Sequence, residues 1–320
     1  MMKERTLRVL EFTKIRDRLA SKAMTDMGRE RCEALVPSSN MTEIQRMQAE
    51  TEEATVILQY VGASPLVPFS DVRASLTLAE KGATLSPKAL LEVAALMQSA
   101  RAARKALDTE RDNTPILKEL AQRLSTLHNV EQDITNAIIS EDEIADRASN
   151  ELMDIRRHLR GANERIKEKL NQMIRSSAFQ KYLQDPIVTM RNDRYVVPVK
   201  VEHRNEIKGL VHDTSASGAT VFIEPVSIVE ANNELKLLKS REEHEIEKIL
   251  YALSSLCAEA ADTLNSNYHL ITEIAFAFTC ASLAEQMKAS AVLPAKTKAF
   301  NLRRAVHPLL DRATAVPIDV

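Results

Sequence analysis

Two long stretches of helical periodicity, separated by a short β-rich segment, constrain what this chain can fold into. Apolar or small residues recur at steps of three and four through residues 141–183 and again through residues 228–264. This spacing puts them on one face of a helix, and the first stretch predicts a helix roughly 60 Å long. Because the stretches have similar lengths, we predict an antiparallel helical hairpin in which each helix buries the apolar face of the other.

The segment between the two stretches, residues 185–225, is the one part of the chain with a β pattern. Polar turns separate its β-branched and aromatic runs, which are Ile187–Arg191, Tyr195–Val201, Gly209–His212 and Ala219–Ile223. We therefore predict a small antiparallel sheet at the tip of the hairpin. A sheet of this size is marginal alone, so we expect its inner face to pack against the ends of the two helices.

Shorter helical patterns fill most of the remaining chain. Aromatic residues make up only 4% of it and glycines number six, which favours helix over sheet. The predicted fold class is mainly α: a helical core bundle, a long antiparallel helical hairpin and a small antiparallel β-sheet at its tip. The predicted boundaries are 1–130 for the core, 131–184 for the outgoing helix, 185–225 for the sheet, 226–266 for the return helix, 267–298 for the helices that return to the core, and 299–320 for the start of a further domain.

Helix start and stop signals are clear at several points of the core. Residues 41–60 form an amphipathic pattern that should end at Gly62, because glycine readily adopts the left-handed conformation of a helix end. Ser86 followed by Pro87 predicts the start of another helix, with a capping hydroxyl and a proline in the first turn. Leu293 and Pro294 should end the last helical stretch.

Composition limits the partners and the compartment. The formal net charge of −2 creates no overall basic field, so any nucleic-acid binding must come from local patches. Cys32, Cys257 and Cys280 are odd in number and far apart, which favours reduced thiols. The chain has no apolar signal segment and no run approaching 18 apolar residues, so we expect a cytoplasmic protein without a membrane partner.

No motif for catalysis is present in the sequence. It lacks a phosphate loop, and it lacks the HExxH, CxxC and GxSxG patterns of metal sites and nucleophiles. Its six glycines are isolated and its seven histidines show no ligand spacing. We therefore predict no catalytic, cofactor-binding or metal-binding residue in this chain and no enzymatic activity of its own.

The clearest local charge lies in the distal part of the outgoing helix. From Arg156 to Lys181 the sequence has eight basic and two acidic residues, which gives a local net charge of +6. This stretch is suited to lie along a phosphate backbone. The facing part of the return helix, residues 230–247, carries six glutamates, however, and pairing across the hairpin is an equal alternative. The candidate nucleic-acid contacts on the helix are Arg156, Arg157, Arg160 and Lys167.

The β-rich segment supplies further candidates, although its acidic residues offset their charge. They are Arg191, Arg194, Lys200, Arg204, Lys208, Ser215 and Ser217. The two serines lie in a turn that is suited either to meet phosphate or to close an ordinary hairpin, and the hairpin is the simpler reading. No aromatic platform for base stacking is apparent, which favours contact with the nucleic-acid backbone or its shape.

Several ordered motifs resemble the second bacterial MutS branch, whose members carry an Smr domain. In the β-rich segment and the helix after it, they are Val188–Arg191, Arg194–Lys200, Gly209–Pro225 and Val229–Leu235. Leu10–Lys14 and His307–Leu310 extend the resemblance to essentially the whole chain. The chain differs at Val306, where an arginine often precedes the His-Pro pair.

This resemblance implies a core domain, a long lever formed by the helical hairpin, and a clamp at its tip formed by residues 185–225. It also implies that the chain is an N-terminal fragment, followed in the family by a dimerising ATPase that uses ATP and Mg²⁺ and by an Smr endonuclease. The family is associated with suppressing homologous recombination on branched DNA and with rescuing stalled ribosomes, and it does not read mismatches.

Two functions are therefore expected for this chain. The first is a clamp and lever that engages DNA or ribosomal RNA within a homodimeric parent protein. The alternative is a mechanical or protein-interaction arm that contacts the ribosome or another protein and has little affinity for nucleic acid. Salt-dependent binding distinguishes them, because counterion release accompanies phosphate contacts.

Overall fold

The structure, a computed structural model, describes residues 4–108, 113–292, 301–311 and 314–320. Contacts divide the chain into two compact units. The core unit comprises Met1–Thr135 and Leu253–Val320, and the clamp unit comprises Asn136–Ala252. Each unit has its own buried apolar cluster.

Twelve helices and six strands form within the described residues, so the mainly α fold class is confirmed. The helices are α1 (Glu4–Val9), α2 (Phe12–Ala20), α3 (Asp26–Glu33), α4 (Met41–Val61), α5 (Arg73–Glu80), α6 (Pro87–Leu107), α7 (Pro115–Gln122), α8 (His128–Ala137), α9 (Asn150–Arg175), α10 (Ser177–Gln180), α11 (Val226–Glu259) and α12 (Ala261–Met287). The strands are β1 (Ile138–Ser140), β2 (Glu143–Ile144), β3 (Thr189–Arg191), β4 (Arg194–Lys200), β5 (Gly209–Thr214) and β6 (Thr220–Pro225).

The core unit follows the helix signals in its sequence. Asn40 starts α4 by accepting hydrogen bonds from two backbone N–H groups, and Gly62 ends it with a φ of 77°. Ser86 caps α6, and Pro87 occupies its first turn. The predicted end of one helix and start of the other are therefore confirmed.

Buried polar side chains fix the neighbours of these helices. The Asn267 amide on α12 bonds both the backbone N–H group and the carbonyl of Ser125, at 3.0 and 2.8 Å. The buried Glu53 carboxylate accepts from the backbone N–H groups of Ile116 and Leu117, at 3.1 and 2.8 Å, and so caps α7. Burial raises the pKa of Glu53. Such bonds offset the cost of burying polar groups.

The predicted extent of the outgoing helix, residues 141–183, is wrong. Helix α9 begins at Asn150, where the Ser149 hydroxyl accepts from the Leu152 N–H group, and it ends where Ser176 adopts an extended backbone. The β1–β2 hairpin and a short 3₁₀ turn, Asp146–Ala148, precede α9. The apolar spacing continues on both sides of the helix because Ile144 and Leu183 are also buried, although both residues have an extended backbone.

The return helix α11 begins at Val226, directly after β6. It ends at Glu259, before the predicted limit of 266, because the backbone turns at Ala260 and α12 starts there. The 34 residues of α11 form one uninterrupted helix.

The clamp unit contains a four-stranded sheet in the order β3-β4-β6-β5, with every neighbouring pair antiparallel. Strands β4 and β5 both pair with β6, so the connection between them, residues 201–208, crosses from one end of the sheet to the other. Asn192 and Asp193 join β3 to β4 with positive φ values of 49° and 60°, as expected for a tight hairpin turn.

The sheet packs on the helices of its own unit, as predicted. One buried cluster joins Ile166 and Leu170 of α9, Val197 of β4, Ile223 of β6 and Leu235 of α11. Burial of this apolar surface supplies the stability that an isolated small sheet lacks.

Two residues near the start of the range 301–311 pair with two residues near the end of the range 314–320, within the core unit. Leu302 exchanges two backbone hydrogen bonds with Val320, and Ala305 exchanges two with Ile318. The predicted helix end at Leu293 and Pro294 lies outside the described residues. Within those residues, no helix combines the length and apolar character needed to cross a membrane.

Replacing two glycines of the clamp unit by alanine should change stability in opposite directions. A Cβ at Gly209 would overlap the carbonyl oxygen of Glu224 and lie 2.6 Å from Ile223 Cγ2, so Gly209→Ala should cost roughly 3 kcal/mol. A Cβ at Gly161, within α9, meets no described atom within 4 Å apart from the backbone of its own helix, so Gly161→Ala should stabilise by about 0.5–1 kcal/mol. Urea unfolding of both variants measures the two changes. A Gly209→Ala variant as stable as the unaltered chain would contradict the close approach of β5 to β6 at this position.

Candidate nucleic-acid interface

A buried carboxylate organises the clamp. Glu224, on β6, is fully buried. Its Oε1 accepts from Arg194 Nη1 at 2.8 Å and from Asn232 Nδ2 at 2.7 Å, and its Oε2 lies 2.5 Å from His212 Nε2. The carboxylate thus joins three strands, β4, β5 and β6, to helix α11. A buried charge is tolerated when it is hydrogen-bonded in this way.

Asn232 fastens the same helix to strand β4. Its side-chain amide is fully buried, accepts from the Tyr195 N–H group at 3.2 Å and donates to the Tyr195 carbonyl at 3.1 Å. The Tyr195 hydroxyl donates to Asn163 Oδ1 on α9 at 2.8 Å. Strand β4 is therefore bonded to both helices that pack against it.

Arg194, a predicted nucleic-acid contact, belongs to this internal network. Its guanidinium also donates to Asn233 Oδ1 at 2.6 Å, and its side chain is only 19% exposed. Charge pairing and burial therefore direct Arg194 toward the protein, and its role as a phosphate contact stays a prediction. Sequence reasoning missed Glu224, His212 and Asn232, which lie in the quoted motifs but have no spacing that marks them as partners.

Arg191 is also engaged within the clamp, although less completely. It forms an ion pair of 3.3 Å with Asp213, and its guanidinium carbon lies 4.1 Å from the centre of the Phe222 ring. The cation and the ring attract each other in this geometry. With 39% of its side chain exposed, Arg191 retains part of its surface for other contacts.

Three other predicted cations have no ion pair within the part of the chain that the structure describes. Lys200 ends β4 opposite Thr220, Arg204 is exposed on the connection that crosses the sheet, and Lys208 is exposed where that connection reaches β5. The carbonyl of Lys208 accepts from the Val226 N–H group, which places this residue at the start of α11. The three charges are therefore spread along the sheet from end to end.

Ser215 and Ser217 lie in the turn between β5 and β6, at the same end of the sheet as Lys200. The Ser215 hydroxyl accepts from the Thr220 N–H group at 3.0 Å, and the Ser215 carbonyl accepts from the Gly218 N–H group at 2.8 Å. These bonds close an ordinary hairpin turn. Ser217 is exposed and its hydroxyl lies 3.3 Å from that of Ser215.

On the lever, much of the predicted basic patch is paired within the protein. Arg156 is 19% exposed and bonds both Asp146 and Glu242, each at 2.7 Å. Arg160 bonds the second oxygen of Asp146 at 3.2 Å. Their hydrogen bonds lower the pKa of Asp146. Arg156 is therefore paired within the protein, and its role as a phosphate contact stays a prediction.

Of the other basic residues of α9, some contact α11 or its start, and others are exposed to solvent. Arg165 reaches Glu234 on α11 at 3.3 Å, and Lys169 donates to the Ser227 carbonyl at 2.7 Å, so some charges do pair across the hairpin. Arg157 is 68% exposed and bonds only its helix neighbour Asp154 among the described residues. Lys167 is exposed and has no ion pair within the described ranges.

A helical hairpin that carries a small antiparallel sheet, with the sheet fastened to both helices, is the arrangement that the resemblance to MutS-like proteins implies. No family model matches the chain. Proteins named Endonuclease MutS2 are 44% identical in Acetivibrio thermocellus, 43% in Alkaliphilus oremlandii and 41% in a Geobacillus strain, and the alignments cover 99–100% of this chain. The chain belongs to the MutS2 family, and it spans about two fifths of the length of these relatives, 40–41%.

Removing the buried carboxylate should destabilise the clamp far more than removing an exposed one. Glu224→Ala removes the only carboxylate that pairs with Arg194 among the described residues and one of the two acceptors of the Asn232 amide, so it should cost about 3–5 kcal/mol. Glu206→Ala, on the exposed connection of the same sheet, should change stability by less than about 0.5 kcal/mol. Urea unfolding followed by circular dichroism measures both, and similar losses for the two variants would contradict the role given to Glu224.

Proposed function

We propose that this chain is the nucleic-acid-engaging clamp and lever of a MutS-like endonuclease. The observation that carries the proposal is the separation of the clamp cations into two groups. Arg194 is paired inside, whereas Lys200, Arg204 and Lys208 have no ion pair within the described residues and lie along the sheet from end to end. Such cations are suited to contact phosphates without reading sequence.

The rest of the parent protein enters the same proposal. In it, ATP and Mg²⁺ would act in a separate ATPase of a homodimer, and the lever would transmit its movement to the clamp. The targets would be branched DNA during recombination and ribosomal RNA on stalled ribosomes. The names of the relatives support an endonuclease parent and nothing finer.

One observation favours the alternative of a protein-interaction arm. Strand β5 forms an outer edge of the sheet, and Leu210 and Val211 on it are 52% and 40% exposed. Exposed apolar side chains on an edge strand suit an added strand from a protein partner. In this case the chain would contact a ribosomal protein or another protein and would bind nucleic acid weakly.

Removing the three unpaired clamp cations should weaken binding and reduce its salt dependence. Lys200, Arg204 and Lys208 changed together to Gln remove up to three phosphate contacts, so the slope of log affinity against log salt should fall by about 2.7 on duplex DNA. Fluorescence anisotropy with duplex, branched DNA and structured RNA at several salt concentrations measures it.

A matched control variant removes the same number of positive charges, but from residues that contact other parts of the chain. Arg160, Arg165 and Lys169 changed together to Gln break contacts to Asp146, Glu234 and the Ser227 carbonyl. Its affinity should fall less than that of the clamp variant. If both triple variants lose the same affinity, binding depends on net charge alone and not on the positions of the clamp cations. No salt-dependent binding by the unaltered chain would reject the clamp function and favour the protein-interaction arm.

A further inference from the structure

Two aromatic side chains meet at the turn end of the sheet. Tyr182, just after α10, and His203, on the connection that crosses the sheet, have ring centres 5.3 Å apart and ring planes at 60°. Both side chains are half-buried, so each ring is supported by the protein and also reaches solvent. The two rings form a corner at the surface of the clamp unit.

The backbone on both sides holds this corner in place. The Tyr182 carbonyl accepts from the Lys200 N–H group at 3.0 Å, and the Tyr182 N–H group donates to the Phe179 carbonyl at 3.0 Å. The next residue, Leu183, is buried and forms a bridge with Val199 of β4. Tyr182 also packs against the apolar cluster of the clamp unit. A platform fixed in this way loses little conformational entropy when a flat ligand stacks on it.

Three basic residues lie at the corner or next to it in the chain. Lys181 Nζ lies over the Tyr182 ring, 4.6 Å from its centre, so a base that stacks on this face takes the place of the lysine. Lys200 adjoins the corner through its backbone bond to Tyr182, and Arg204 follows His203. Glu202 and Glu206 are exposed on the same connection, so these charges nearly balance. Charge alone is therefore a weak source of affinity here, and stacking on the rings must contribute the larger share.

Resting on the clamp function proposed above, we propose that the Tyr182–His203 corner receives one unpaired nucleobase of a single-stranded nucleic acid. The base stacks on the ring surface, and Lys181, Lys200 and Arg204 lie near the flanking phosphates. Aromatic side chains flanked by cations bind single strands in this manner, because every base has a π face. The bases of an intact duplex are stacked on each other and offer no free face, so the corner selects unpaired regions.

Binding of a labelled oligothymidine about twenty nucleotides long, a length that covers such sites, tests this proposal with the whole 320-residue chain. Tyr182→Leu should weaken binding of this strand about 5- to 100-fold, the range that base stacking spans, and should leave duplex binding unchanged. Tyr182→Phe keeps the ring and should bind the strand like the unaltered chain. An abasic strand of the same length, which keeps the phosphates, should bind weakly to all three proteins.

Tyrosine fluorescence gives a second readout that a purely structural role would not change. The chain has five tyrosines and no tryptophan, so tyrosine emission is directly visible. Oligothymidine should quench part of this emission in the unaltered chain, and that part should be missing in Tyr182→Leu. Tyr251→Leu, on α11 of the same unit, should retain it. An oligouridine strand tested in parallel shows whether the corner prefers DNA or RNA.

The possible results separate this proposal from the clamp function. If the unaltered chain binds duplex and abasic strands as tightly as oligothymidine, the stacking corner is rejected and the clamp function stands. If Tyr182→Leu weakens duplex and single-strand binding equally, or if Tyr182→Phe loses as much affinity as Tyr182→Leu, stacking is likewise rejected. If the unaltered chain binds no probe at low salt, the clamp function fails and the stacking corner fails with it.

Discussion

The buried carboxylate of Glu224 is the interaction on which the clamp depends. A charge without access to water is stable only where donors surround it, and Arg194, His212 and Asn232 provide these contacts from two strands and a helix. Each of these contacts also fixes the position of the element that supplies it. The sheet is therefore fastened to α11 by directional bonds in addition to its apolar contacts.

Because some basic side chains are paired within the protein, only the others are free to contact a ligand. Arg194 is occupied by Glu224 and Asn233, and on the lever Arg156 is occupied by Asp146 and Glu242. The cations with no ion pair in the described residues lie at the margins of the sheet. A surface built in this way suits contacts along a phosphate backbone better than one deep, strongly positive groove.

The same type of fastening recurs in the core unit. Asn267 bonds both backbone groups of Ser125 there, as Asn232 bonds both backbone groups of Tyr195 in the clamp unit. A buried amide that donates and accepts at one residue fixes the register between a helix and its neighbour, because a shift would leave both groups without partners. Apolar contacts alone would tolerate such a shift more readily.

The fold class, the sheet between two long helices and the helix boundaries at Gly62 and Ser86 can be predicted from the amino-acid sequence, because periodicity and capping are local properties. The start of α9 cannot be predicted from the sequence. Ile144 is buried and continues the apolar spacing of the helix, but it lies on strand β2. Which cations are paired within the protein depends on the tertiary structure. Partners such as Arg156 and Glu242 lie far apart in the chain, and spacing cannot show which cation finds an acceptor.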